Sequence, residues 1–309
     1  MKIAIVGPGA MGCLFGHFLA RAGHELWLLD YRPERARLIE EQGLRVETAE
    51  GTLTTPVRVA AEPQAVGTAE LCIIAVKAYA TRGAAERSLP MIGPQTQVLS
   101  LQNGLGNVEA IAEVVAPDQV LGGTTAQGAN VVAPGHIRHA GVGETVIGEL
   151  QGSGNRAAQV AEIFNAAGLP ARTTQDLRGL IWSKVIINIG INALTALTRL
   201  QNGKLLDYPG TREVLAAAVR EAAAVAQALG IELLYPDPVG RVEAVAKATG
   251  KNISSMLQDV RSRRRTEIGQ IQGAVVEQAR GLGVAVPVNE TLLRLVRALE
   301  ESYGEQLIP

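Results

Sequence analysis

The first thirty residues, MKIAIVGPGAMGCLFGHFLARAGHELWLLD, leave little freedom in how this chain begins to fold. A β-branched run reaches Val6, glycines follow at 7, 9 and 12, helical periodicity continues, and an apolar strand ends at Asp30. This is a strand–helix–strand unit with G-x-G-x-x-G at the junction of its first strand and helix. Gly7 permits the tight turn, Gly9 lets the backbone approach a pyrophosphate, and Gly12 lets the helix pack against the sheet. With Pro8, Ala10 and Met11 they form a phosphate loop at a helix N-terminus, which predicts a dinucleotide cofactor. The end of the second strand carries two opposed signals. Asp30 is placed to accept from an adenosine ribose 2′-hydroxyl, favouring NAD, whereas Arg32 is placed to pair with a 2′-phosphate, favouring NADP.

Further strand-like runs, LCIIAVK (71–77) and TQVLSLQNG (96–104), alternate with helical segments, as a doubly wound sheet requires. Ligands of such sheets sit beyond the carboxyl ends of the strands, which makes Lys77 and Asn103 site candidates. Residues 122–150 read as a strand, a hairpin and another strand. His136 and His139 there form H-x-x-H within a sheet-like alternation and read as structural or surface histidines, as do His17 and His24; no metal site is expected.

From about Asp176 the character changes, giving a dinucleotide-binding domain over 1–175 and a helical domain over 176–309. Helices are expected over roughly 176–200, 209–229, 236–248, 252–282 and 288–302. Two domains imply a cleft, the default location for a small substrate. Within the first of these helices, KVIINIGIN (184–192) places Lys184, Asn188 and Asn192 four residues apart, hence on one stripe. Val185, Ile186, Ile187, Ile189 and Ile191 cover most of the remaining circumference, so the stripe must meet something polar other than bulk water. Asn252, Ser255, Asp259 and Glu267 offer further polar groups. Asn252 or Ser254 suits a helix N-cap, and the arginine run 261–265 a solvated face.

Composition narrows the function classes. With 29 basic against 30 acidic residues in 309, there is no basic excess to favour nucleic acid. Two cysteines, Cys13 and Cys72, form neither a disulfide framework nor a metal spacing, which suits a reducing cytoplasm. No uninterrupted apolar segment approaches the roughly 18 residues that span a bilayer, so no membrane partner is expected.

GPGAMG, VK at 76–77, QNG at 102–104, W-S-K-x-x-x-N-x-x-x-N at 182–192, SSMLQD and TEI occur in the order and spacing of the ketopantoate reductases, and the chain resembles that family over essentially its whole length. The resemblance implies an N-terminal Rossmann domain and an all-helical C-terminal domain like that of 6-phosphogluconate dehydrogenases. It implies NADPH-dependent reduction of 2-dehydropantoate to (R)-pantoate, with NADH as a possible alternative, and a homodimer through the helical domain. It further implies that Lys184 is the general acid with Glu267 near it. Lys77 and Asn103 would lie beside nicotinamide and substrate, and Asn188, Asn192, Asn252 and Ser255 would bind substrate. Family members often carry aspartate and asparagine where this chain has Gly269 and Gln272. The alternatives are a paralogue reducing another 2-oxo acid, perhaps with NADH; a β-hydroxyacid dehydrogenase, whose glycine pair before the lysine is missing from RGLIWSK; and a non-catalytic dinucleotide-binding sensor.

Overall fold

The computed structural model describes residues 1–307. By contacts the chain divides into two compact units: Met1–Gln102 with Asn107–Leu177, and Asn103–Gly106 with Arg178–Pro309. The short segment Asn103–Gly106 thus groups with the helical unit although it is flanked in sequence by the first.

The strands of the first unit are β1 (Lys2–Val6), β2 (Glu25–Leu29), β3 (Leu44–Thr48), β4 (Gly51–Thr55), β5 (Arg58–Ala60), β6 (Ala69–Ile74), β7 (Ile92–Ser100), β8 (Val120–Thr125), β9 (Gly128–Ala133), β10 (His136–Gly141), β11 (Thr145–Glu149) and β12 (Ala171–Thr173). Its helices are α1 (Ala10–Arg21), α2 (Pro33–Gln42), α3 (Thr81–Ser88), α4 (Asn107–Ala112) and α5 (Asn155–Ala166). Eight strands form one sheet in the order β12-β11-β8-β7-β6-β1-β2-β5, parallel throughout except for the β8–β11 pair. A parallel sheet buries both faces, so its central strands are continuously apolar. Ile3, Ile5, Leu28, Leu71, Ile73 and Leu99 are almost wholly buried, and Leu14, Phe15 and Leu19 of α1 pack on them.

The hairpin foreseen within 122–150 exists, and β9 and β10 join β3 and β4 in a second sheet of order β4-β3-β10-β9. His136 lies 2.9 Å from Glu47 of β3, and His139 bonds Gln127 at 2.9 Å and meets Phe18 edge-on. His17 ties α1 to this sheet through Thr55, Nδ1 to Oγ1 at 2.8 Å. Burial first, then the charges of Arg21 and His139, push its pKa from 6.5 down to about 4. A histidine kept neutral in the fold binds fewer protons than the unfolded chain does, so its stabilisation is complete above pH 6.5 and is lost as pH falls toward 4. The term is on the order of 1–2 kcal/mol at pH 5. Urea midpoints at pH 7.5 and 5 should therefore converge in His17→Gln relative to wild type; an unchanged pH dependence would refute this role.

The second unit is helical: α6 (Leu177–Thr198), α7 (Pro209–Ala228), α8 (Pro238–Ala248), α9 (Ser255–Arg261), α10 (Ala274–Leu282) and α11 (Pro287–Glu301). The single helix expected over 252–282 is a correction. Arg263 adopts a left-handed φ of 50°, Arg264 N–H donates to Asp259 O at 2.9 Å, and the chain resumes as one π-helical turn, Gly269–Gly273, before α10. Left-handed termination normally draws on glycine, and no glycine marks this one. Residues 261–265 are exposed, as a solvated face requires. By length and composition α6 is apolar enough to cross a membrane, which the sequence reading did not anticipate; 72% of its apolar window is buried inside the protein, as in a core helix. Both cysteines are buried and free.

Candidate active site

The phosphate loop is built by backbone geometry. Gly7, at φ 97°, donates to Leu29 O at 3.0 Å and so pins the end of β1 to β2, while Gly9 N–H donates to Gly7 O at 2.8 Å. A Cβ on Gly12 would stand 2.2 Å from Gly7 O, so only glycine lets the first turn of α1 press on the loop. A Cβ on Gly9 would meet nothing within 4 Å, and no side chain caps the N-terminus of α1. Open space beside uncapped helix amides fits a pyrophosphate. Pro8 offers no N–H, and its carbonyl takes the Cys13 thiol at 3.4 Å.

The structure separates the two signals at the end of β2. The Asp30 side chain is fully buried and gripped by Arg35: Nη2 donates to Oδ1 at 2.9 Å and Nε donates to Oδ2. Arg32 N–H donates to the same Oδ1 at 3.1 Å. The bond to Asp30 in turn pushes the Arg35 pKa up. Both Asp30 oxygens, expected to face a ribose, thus already accept hydrogen bonds from within the protein. Arg32 is exposed; its Nε donates to the Tyr31 hydroxyl at 3.1 Å and its guanidinium lies 5.3 Å from the Tyr31 ring centroid. Arg87 lies at the same distance from that ring. Sequence reading missed Arg35, Tyr31 and Arg87. A D-x-x-x-x-R spacing entering α2 hints at the first, whereas Arg87 reaches Tyr31 only through the folding of the sheet.

Lys77 follows β6, half-buried, and its carbonyl accepts from Ala80 N–H at 2.8 Å. Gln102 braces the adjoining backbone, donating through Nε2 to Val76 O and to Thr81 Oγ1, each at 2.8 Å, while Oε1 accepts from Ser100 at 2.8 Å. Gly7–Gly12, Asp30, Arg32 and Lys77 thus lie along the carboxyl edge of β1, β2 and β6, neighbours in the sheet.

In the helical unit Lys184, Asn188 and Asn192 share one stripe of α6, with Val185, Ile186, Ile189 and Ile191 buried around it. Lys184 is half-buried. Burial lowers its pKa below 10.5, and the Arg241 guanidinium lowers it further. Asn188 Nδ2 is buried without a hydrogen-bond partner among the described residues, and Asn192 is buried too. A buried amide donor left unpaired is costly unless a ligand takes it.

Ser254, not Asn252, caps α9, accepting from Leu257 N–H at 3.1 Å. It also meets Thr195 Oγ1 at 2.6 Å. Thr195 lies 3.0 and 2.9 Å from the carbonyls of Ile191 and Asn192, so its proton goes to the helix and the Ser254 proton goes to Thr195. This bond fastens residues 252–255, with Asn252 and Ser255 exposed on either side, to α6 beside Asn192. The chain breaks after α9, so Ser255 and Glu267 do not lie on one straight helix, on which twelve residues would span roughly 18 Å. Glu267 is buried, and its carbonyl accepts from Gln270 and Ile271. The Asn103 loop joins the same turn, Leu105 N–H donating to Gln270 O at 2.8 Å. Gln272, fully buried, donates to Ile189 O at 3.2 Å.

A dinucleotide-type sheet in one unit and a half-buried lysine on an amide-bearing helix in the other suit a nicotinamide-dependent oxidoreductase. The comparisons give the particular family. Residues 3–152 match the family model for ketopantoate reductase PanE/ApbA and residues 176–300 its C-terminal counterpart, so the chain belongs to the ketopantoate reductase family. It is 42% identical to the 2-dehydropantoate 2-reductase of Halobacterium salinarum, covering 96% of this chain and 98% of that one. It is 36% identical to the enzyme of that name from Archaeoglobus fulgidus, over 97% and 98%. Among solved structures, a PanE/ApbA family ketopantoate reductase from Ralstonia eutropha JMP134 aligns with TM-score 0.90 at 38% identity, covering 98% and 99%. D-mandelate dehydrogenase with NADH and anilino(oxo)acetate aligns with TM-score 0.92 at 29% identity over the same shares.

Proposed function

We propose that this enzyme reduces the ketone of 2-dehydropantoate to (R)-pantoate with NADPH, in the cytoplasm, as a step of pantothenate and coenzyme A synthesis. What carries the reading is the α6 stripe: a lysine kept partly from water, followed by an amide with an unpaired buried donor. A bound reduced nicotinamide supplies the hydride. Lys184 hydrogen-bonds the ketone oxygen, stabilises the negative charge that develops there, and gives it a proton. Burial and Arg241 make it a stronger acid than free lysine. Asn188 and Asn192 hold the substrate's polar groups without adding a competing charge, and Asn252 and Ser255 take its carboxylate or hydroxyl. Glu267, buried in the same helical unit, is the carboxylate assigned to assist the lysine, and Asn103 and Lys77 are assigned to orient substrate and nicotinamide. Gly7–Gly12 cradle the pyrophosphate. NADPH is favoured because Asp30 is occupied by Arg35, while Arg32 and Arg87 flank Tyr31 with no acidic partner among the described residues, an arrangement that suits a 2′-phosphate.

A paralogous reaction on another 2-oxo acid draws support from Gly269 and Gln272 and from the likeness to D-mandelate dehydrogenase. Steady-state assays of 2-dehydropantoate, phenylglyoxylate and other 2-oxo acids with each cofactor separate the two. Turnover of 2-dehydropantoate with NADPH should exceed the rest by at least tenfold; brisk turnover of another acid beside negligible turnover of 2-dehydropantoate would overturn the proposal. The homodimer belongs to the same proposal, and sedimentation velocity tests it.

A further inference from the structure

The carboxylate at the end of β2 is in the position from which a Rossmann fold ordinarily reads the adenosine ribose, yet it is fully buried and paired. We propose that Arg35 is a specificity-determining residue for the cofactor: it holds Asp30 neutralised and covered, and thereby prevents this acid from selecting NADH and repelling NADPH. The inference rests on the NADPH reading above and adds a residue to it.

Three features of the contact support this. First, it is two-pronged. Nη2 and Nε each meet a different carboxylate oxygen, the fork geometry that arginine provides and lysine does not. Second, Arg32 N–H fills a further lone pair of Oδ1, so the pair is locked to the backbone that leads into α2. Third, the exposure is one-sided: the Asp30 side chain has none, whereas 30% of the Arg35 side chain remains exposed, so the arginine is the member of the pair that faces solvent. With the pair intact the Asp30 side chain has no exposed surface to offer a ribose hydroxyl. The exposed Arg32 and Arg87 beside Tyr31, rather than a bare anion, are then the charged groups offered to a 2′-phosphate.

Binding constants for NADP⁺ and NAD⁺, measured by isothermal titration calorimetry, test the idea without turnover. In Arg35→Met the uncovered Asp30 should accept the 2′-hydroxyl and repel the 2′-phosphate. NADP⁺ then binds more weakly, NAD⁺ more tightly, and the ratio of their affinities shifts by about 100-fold. Arg35→Lys, which keeps charge but not the fork, should fall between. Asp30→Asn/Arg35→Met should regain the NADP⁺ preference, since the effect acts through the acid. Asp30→Asn alone leaves Arg35 an amide oxygen to bond but one unpaired positive charge, so NADP⁺ affinity should hold or rise by no more than a few-fold, because the acid is already neutralised. A merely structural role for Arg35 weakens both nucleotides alike, and that result would overturn the proposal, as would an Asp30→Asn protein that gains tenfold or more for NADP⁺. If Arg35→Met fails to fold, the double and single Asp30 variants still decide. Wild type that binds NAD⁺ more tightly would refute both the NADPH reading and the role of Arg35, whereas an NADP⁺ preference indifferent to Arg35→Met refutes the latter alone.

Discussion

Lys184→Met is expected to lower the turnover of carbonyl reduction by about three orders of magnitude or more, combining the usual loss of a general acid with that of an oxyanion donor. Cofactor affinity should change little, because no part of the phosphate loop belongs to α6. Stability should hold or rise, since the ammonium sits partly desolvated beside Arg241 and its removal relieves that cost. This combination separates a catalytic lysine from a structural one, whose loss lowers the melting temperature. On the proposed assignment the protonated lysine is the active form. As burial and Arg241 lower the pKa, the reduction rate should fall with rising pH at a point below the ordinary lysine value of 10.5, and this limb should vanish in the variant. Single-turnover reduction at several pH values, with calorimetric melting, makes the measurement. A variant that reduces substrate at near-normal rate would refute the acid assignment.

What sequence made legible here was short-range and periodic. The phosphate loop repeats a backbone requirement within six residues, and the Lys184–Asn188–Asn192 stripe follows from helical spacing, so both stand where expected. What it concealed depends on contacts made by the folded chain. Thr195 and Ser254 are 59 residues apart, and neither side chain announces the other. The second sheet pairs β3 with β10 across some ninety residues, as the 91-residue separation of the Arg138–Glu47 bond shows. Asp30 was visible at the end of its strand, but its pairing with Arg35, five positions on, depends on a choice of rotamer that no pattern of residue types encodes. The end of α9 was hidden because Arg263 takes a left-handed conformation that glycine usually marks.

The phosphate loop offers the second large effect, best read as a contrast between two alanines. In Gly12→Ala the new Cβ would lie 2.2 Å from Gly7 O and 3.2 Å from Gly7 C, both backbone atoms, so the first turn of α1 must lift or the loop must move. Gly7 O also accepts the Gly9 N–H at 2.8 Å, and moving it releases the turn that presents the helix amides. Dinucleotide affinity should fall by about 100-fold or more and the melting temperature by several degrees, the cost of overpacking at an unyielding contact. In Gly9→Ala the Cβ meets no protein atom within 4 Å, so the fold and its melting temperature should be preserved. The methyl instead enters the space a pyrophosphate needs, and affinity should fall while stability does not. Calorimetric titration with NADP⁺ beside thermal melts reads both. Unchanged NADP⁺ affinity in Gly9→Ala would mean that the phosphates lie elsewhere, and a Gly12→Ala protein as stable as wild type would mean that α1 does not press on the loop.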